Sequence, residues 1–288
     1  MTPRDPHALR ASLDARLQLL AQERGQDVNR LRRHLTFQRL LRRLDDSWVL
    51  KGGFLLEARL GARARATKDL DLALRDGAAD ASDALREALE VDIDGDGFAF
   101  LITTARHHLA DAERLGGPGT SLGVTAILAG RPFANIRVDV VARPAEIAGG
   151  TEQVTLPTLV PEPGWAPVHV TAVDITQHVA EKLHALCHVH AHPRPSTRVK
   201  DLVDVVLVLD AGTLDETRLR DRLDVVFAAR DGSPPPPDVP DPPAAWADDY
   251  TLLAERHAVS TPSLGEAMAL ARTLYSRAID SAHAQEPR

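Results

Sequence analysis

The residues best suited to chemistry lie in KGGFLLEARLGARARATKDLDLAL, positions 51–74. Gly52 and Gly53 close a short apolar run and open the stretch that follows it. Backbone without a Cβ can lie against a ligand, and N–H groups at a helix start can point at phosphate oxygens. Downstream, Asp69 and Asp71 alternate with Leu70, Leu72 and Leu74. This period of two predicts a half-buried strand whose two carboxylates leave the same face. Two carboxylates on one rigid face repel each other, and a divalent cation relieves that repulsion. Hard oxygen donors suit Mg2+, which keeps some waters and accepts phosphate oxygens from a substrate. In NIRVDVVAR, Asp139 shares a face with Arg137 and Val141, opposite Ile136, Val138 and Val140. An aspartate among β-branched residues is costly to bury unpaired. A metal shared with Asp69 and Asp71 is one partner for it; an ion pair with Arg137 or Arg143 is the other. The plain alternatives for the first two parts are an ordinary Gly-Gly turn and a solvated Asp-x-Asp.

Two downstream patterns join these. Lys182 sits beside the stripe Ile175, Val179, Leu183 and Leu186, where its stem can pack while its ammonium reaches a triphosphate. Asp201 and Asp204, three apart, are neighbours on a helical face, with Lys200 four residues before Asp204. An intrahelical ion pair on a solvated face explains the second pattern equally well.

The order Gly-Gly, helix, Asp-x-Asp on a strand, then a lone Asp on a later strand resembles the DNA polymerase β-like nucleotidyltransferase superfamily. More closely, LKGGFLLEARLG followed by RATKDLDL is similar to the AbiEii-type nucleotidyltransferases. These are the toxin halves of bacterial toxin–antitoxin pairs and include the MenT toxins. Their downstream lysine and Lys-Asp-x-x-Asp segment are matched by HVAEKLHAL, with Lys182, and TRVKDLVDVVLV, with Arg198, Lys200, Asp201 and Asp204. The resemblance spans roughly 45–210. It implies an α+β fold, in which a nucleotidyltransferase core of small mixed β-sheet with flanking helices is joined to a helical C-terminal domain.

The resemblance also implies the reaction. A nucleoside monophosphate passes from an NTP to an RNA acceptor, a tRNA 3′ end foremost, with pyrophosphate released and a cognate antitoxin as partner. Asp69, Asp71 and Asp139 would hold a two-metal Mg2+ site, and Lys182, Asp201 and Asp204 complete the catalytic set. Lys51, Gly52 and Gly53 would line the nucleotide, with Arg65, Thr67 and Lys68 in support. Lys182, Arg198 and Lys200 would offset charge on the triphosphate, or the last two would hold phosphates of the acceptor. Two departures stand out. Fifteen residues separate Gly53 from Asp69, and Gly53 stands where many superfamily members carry a serine. A protein or small-molecule acceptor, and a non-catalytic nucleotide-binding module, are the competing readings.

The elements that must position these residues follow from periodicity. Leu9, Leu13, Leu17 and Leu20, then Leu31, Leu35, Leu40, Leu41 and Leu44, predict two helices over 7–44, broken near Gly25 and Asn29. A strand at Trp48–Leu50, a helix at 54–60, a strand at 70–74 and a helix at 78–90 follow. Phe98–Thr103 reads as a strand, then a polar segment ends in Gly116-Gly117-Pro118-Gly119. Ser121–Leu128 and Ala134–Val141 read as strands joined through 129–132. Helices are expected from Asp174 through Leu186, over Val199–Leu209 and over 263–280, with the loop HVHAHPRPST between the first two. SPPPPDVPDPP, 233–243, reads as an exposed extended linker. The expected division is thus an N-terminal helical segment at 1–44, a core at 45–150 and a mainly helical C-terminal domain at 151–288.

Composition bounds the rest. The 288 residues are 44% hydrophobic, which excludes a wholly disordered chain. No apolar run approaches the roughly 20 residues of a membrane span, and MTPRDPHALRAS has no signal-like apolar stretch, so a cytoplasmic protein without membrane contact is expected. Cys187 is the one cysteine, which excludes an intramolecular disulfide and a cysteine-built zinc site. Net charge is −7, yet positions 30–65 hold ten Lys/Arg against three acids. That basic stretch suits a polyanion or simple solvation; positions 201–250, with twelve acids and four bases, form the acidic counterpart. DIDGDG, 92–97, has Thr103 where a calcium loop needs glutamate, and reads as an acidic turn. His184, His188, His190 and His192 lack a second ligand cluster in sequence and read as bland.

Overall fold

Leucine–aspartate alternation builds the centre of a seven-stranded mixed sheet with strand order β3-β4-β5-β2-β1-β7-β6. The structure is a computed structural model and describes residues 5–75, 81–108, 119–142, 147–188 and 198–280. Among them the chain runs α1 (Pro6–Arg24), α2 (Val28–Leu41), β1 (Trp48–Lys51), α3 (Gly52–Leu60), β2 (Asp69–Leu74) and α4 (Ala81–Leu89). Next come β3 (Phe98–His108), β4 (Gly119–Leu128), β5 (Arg131–Ala142), β6 (Thr151–Thr155) and β7 (His169–Val173). Five helices follow: α5 (Ile175–Cys187), α6 (Val199–Ala211), α7 (Leu219–Asp231), α8 (Trp246–His257) and α9 (Leu264–Asp280). The α+β class inferred from the resemblance is the class observed.

Two units divide the chain: 1–58, 66–144 and 152–172 form the first, and 59–65, 145–151 and 173–288 the second. The first is therefore wider than a core at 45–150. Its sheet takes in β7, paired parallel to β1 through Val49↔Thr171 and Leu50↔Ala172. Its N-terminal helices are part of the same core, where Leu9, Leu13, Leu17, Leu31 and Leu35 pack with Phe98, Leu128 and Phe133. Each such fully buried leucine contributes about 1.5–3 kcal/mol. Both helices start at an aspartate whose side chain caps the first turn, Asp5 onto His7 N–H and Asp27 onto Arg30 N–H.

Several elements differ from expectation. β3 continues to His108, because its antiparallel ladder with β4 extends to His108↔Gly119. Arg131 and Pro132 belong to β5 rather than to a four-residue turn, leaving Ala129 and Gly130, both at positive φ, as the hairpin. The 116–118 loop, Arg143, Pro144 and positions 189–197 lie outside the described residues. β6, β7, α7 and α8 were not anticipated. In the second unit the proline-rich segment is not a free linker: Val239 is fully buried. Tyr275 Oη–H donates to Pro236 O at 2.7 Å and Arg272 Nε–H to Val239 O at 3.0 Å, which ties the segment to α9.

The basic stretch also reads differently. Arg39 and Arg43, on α2 and just after it, are buried, and both donate to Asp96. Arg39 Nε lies 2.7 Å from Asp96 Oδ2, and Arg43 Nη2 lies 2.8 Å from Oδ1. Arg39 and Arg42 also pair with Asp94, and Arg30 with Glu57 at 3.1 Å. DIDGDG is thus the internal counterion of α2, a role that suits buried guanidinium better than solvent exposure does.

Candidate active site

Registry assembles one row of polar residues across the first unit's sheet. β1 runs antiparallel to β2 with Lys51 opposite Asp71. β2 runs parallel to β5 with Asp71 opposite Asp139 and Asp69 opposite Arg137. β4 runs antiparallel to β5 with Ser121 opposite Asp139. Paired residues share a face, so Lys51, Asp71, Asp139 and Ser121 stand side by side on strands about 4.8 Å apart. Leu70, Leu72, Val138 and Val140 fill the opposite, buried face. The alternation read from sequence therefore holds on both aspartate strands, and the three carboxylates lie in one layer.

Neighbours fix each carboxylate. Asp139 is 2% exposed, and its Oδ1 accepts the Ser121 Oγ–H at 2.5 Å. Arg137 Nε lies 3.9 Å from Asp69 Oδ1 across a half-exposed surface, so Arg137 pairs with Asp69. Asp71 lies against Gly52, whose φ is +70°. A Cβ built on Gly52 would sit 2.6 Å from Asp71 Cγ, closer than real side chains approach. Glycine is required there twice, by its left-handed backbone and by the carboxylate against it. The nine-residue helix α3 begins at this residue, which sets its first N–H groups beside the row.

Two residues that position the site carried no sequence signal. Ser121 orients Asp139 from 18 positions away. Glu57, 6% exposed, accepts the Thr67 N–H at 2.7 Å and pairs with Arg30 and with His34 at 2.5 Å. It anchors the turn that delivers β2. Thr67 is itself buried, with its hydroxyl on Asp69 O at 3.2 Å, and Lys68 is exposed.

The second unit gathers five other candidates into an ion-pair cluster. Lys182 Nζ lies 2.5 Å from Asp201 Oδ1 and 3.1 Å from Asp204 Oδ2. Arg65 donates through Nε and Nη2 to the two oxygens of Asp204, at 3.2 and 3.0 Å, and Arg198 Nη1 reaches Asp201 at 3.3 Å. Asp204 is 1% exposed; burial pushes its pKa up, but Lys182 and Arg65 outweigh burial and hold it below the carboxylate norm. Burial lowers the Lys182 pKa, yet Asp201 and Asp204 raise it above its ordinary value. The neighbouring His178 is pushed down to about 3, first by burial and then by Lys182. Lys200 is exposed, so the solvated Lys200–Asp204 pair is replaced by buried pairing to Lys182 and Arg65.

A family profile described as "Nucleotidyl transferase AbiEii toxin, Type IV TA system" matches residues 38–282. The chain belongs to the AbiEii nucleotidyltransferase toxin family. As an AbiEii protein it is a nucleotidyltransferase and the toxin component of a type IV toxin–antitoxin system. The MenT4 nucleotidyltransferase toxin of Mycobacterium tuberculosis H37Rv is similar in fold, with a TM-score of 0.54 and 20% identity over 92% of this chain and 89% of that one. No curated protein matches the AbiEii chain significantly. Among the described residues no helix is long and apolar enough to cross a membrane.

Proposed function

We propose that this AbiEii protein transfers a nucleoside monophosphate from an NTP to an RNA acceptor, a tRNA 3′ end foremost, using Mg2+ held by Asp69, Asp71 and Asp139. One observation carries the reading: Asp71 and Asp139 stand in register on adjacent parallel strands beside Gly52, which has no room for a side chain. The donor set fits the metal, because carboxylate oxygens from neighbouring strands are the hard ligands Mg2+ prefers. When bound, the metal neutralises phosphate charge and acidifies the attacking hydroxyl.

The protein's own groups do the positioning. The N–H groups at the start of α3 receive phosphate oxygens, which only a glycine-lined approach permits. Ser121 fixes the rotation of Asp139, which accepts the proton of the acceptor hydroxyl. The hydroxyl oxygen then bonds to the α-phosphorus, and the bond to the β-phosphate oxygen breaks with release of pyrophosphate. Lys51, opposite Asp71 in the ladder, offsets negative charge in the row. Such chemistry depends mainly on position and charge complementarity.

The test is incorporation of α-labelled NTP into total RNA, run in parallel with protein substrates. Asp69→Ala, Asp71→Ala and Asp139→Ala are expected to abolish transfer while retaining the wild-type circular dichroism spectrum. Undiminished transfer by any of the three refutes its metal role, and label in protein rather than RNA refutes the acceptor. Lys182→Met in the same assay separates two roles for the buried cluster. A raised KM for NTP marks a triphosphate contact, whereas a lowered melting temperature with unchanged KM marks a purely structural ion pair.

A further inference from the structure

The second unit holds a cluster that nucleotide transfer does not use. His184 and His188 stand one helical turn apart at the end of α5, and Asp231 closes α7, 47 positions after His184. Their side chains converge. Asp231 Oδ2 lies 3.1 Å from His184 Nε2 and 3.3 Å from His188 Nε2. All three potential ligand atoms lie within 4.8 Å of one another, which among the described residues distinguishes this group. Two atoms bound to one tetrahedral ion at about 2.0–2.1 Å stand roughly 3.3–3.4 Å apart, close to both of these separations.

The tautomer is set as metal sites set it. His188 Nδ1 lies 2.9 Å from His184 O, so that nitrogen carries the proton and donates to the carbonyl. The lone pair of the neutral ring is then at Nε2, the nitrogen turned toward the Asp231 carboxylate. Fixing one ring nitrogen on a backbone carbonyl while the other faces the ligand position is a recurrent arrangement around bound metals. Packing holds both rings: their centroids are 4.3 Å apart, and Phe227 lies 4.6 Å from His184.

We propose that His184 Nε2, His188 Nε2 and the Asp231 carboxylate bind one divalent transition-metal ion of the zinc class, clamping the end of α5 to the end of α7. Two imidazoles and one carboxylate suit Zn2+ or Co2+, and solvent takes the fourth position. The site shares no residue with the Asp69–Asp71–Asp139 row and stands whether or not that row binds Mg2+.

The experiment uses the full chain stripped with chelator. Zn2+ and Co2+ are titrated separately, with Zn2+ affinity read by competition with a chromogenic chelator and Co2+ coordination by its visible ligand-field bands. One equivalent per chain and a higher melting temperature with Zn2+ are expected. His188→Ala and Asp231→Asn are expected to lower affinity by about tenfold or more, since even residues behind the ligands are worth that much. The sequence neighbours His190 and His192 supply the control: a His190→Ala, His192→Ala double variant must bind as wild type does. Absence of stoichiometric binding, equal affinity in the Asp231→Asn variant, or loss of binding only in the His190/His192 variant overturns the proposal. Circular dichroism of each metal-free variant separates a lost ligand from a lost fold.

Discussion

Gly52→Ala probes the carboxylate row without replacing a charged group. Two penalties separate cleanly. The first is backbone strain: alanine at φ +70° costs about 1 kcal/mol of stability. The second is collision. The new Cβ would lie 2.0 Å from Asp71 Oδ2 and 2.6 Å from its Cγ, whereas ordinary contact begins at 3.4 Å, so the Asp71 carboxylate oxygen must recede by about 1.4 Å. A misplacement of about 1 Å near reacting atoms costs roughly 100-fold in rate, equivalent to about 2.7 kcal/mol of transition-state stabilisation. Gly25→Ala is the control, because Gly25 has φ +60° with nothing within 4 Å of a built Cβ. Gly52→Ala is expected to lose at least as much stability as Gly25→Ala in urea titrations, and only Gly52→Ala to lose about two orders of magnitude in single-turnover incorporation of labelled NTP. A Gly52→Ala enzyme as active as Gly25→Ala would refute the idea that the glycine exists to seat Asp71.

Asp96→Asn is expected to destabilise the protein by about 3–5 kcal/mol, because Arg43 would remain buried without its counterion and Arg39 would keep only Asp94. A urea midpoint corresponding to less than about 1 kcal/mol, the range of surface pairs, would mean the network is idle. Acid should weaken the fold before carboxylates titrate. Below the ordinary histidine value of 6.5 the unfolded chain binds a proton that buried His178 refuses until about pH 3, so stability falls through that window as pH drops. The slope attributable to His178 approaches 1.4 kcal/mol per pH unit, roughly, and His178→Gln should flatten it; identical slopes would refute a neutral buried imidazole.

Local chemistry was legible where a short period forced it. The alternation around Asp69, Asp71 and Asp139 predicted both strands, the buried leucine and valine face and the polar face opposite, because a strand offers only two sides. What sequence could not give was registry. That Asp71 faces Asp139 rather than a neighbour two residues away depends on pairing between segments 68 positions apart. The same limit hid Asp96, whose partners lie 53 and 57 positions upstream, and Asp231, far from the histidines it meets. Composition misled in one respect: an arginine-rich helix reads as a surface for polyanions unless its internal counterions are visible. HVTAV, the β7 segment, is too short and too close to a proline- and glycine-containing stretch to stand out as a strand. Val239 looked exposed because prolines usually are, yet the carbonyls of Pro236 and Val239 are acceptors that α9 supplies with donors.

The ladder that aligns Lys51, Asp71, Asp139 and Ser121 imposes a parity rule on this part of the chain. Removing one residue from within β2 would invert everything beyond the cut, turning an acidic group into the leucine layer and a leucine out of it. Removing two would restore the sides at the expense of length. Drift in such a protein is therefore free to lengthen its connections by any amount, but can edit these four strands only in even steps.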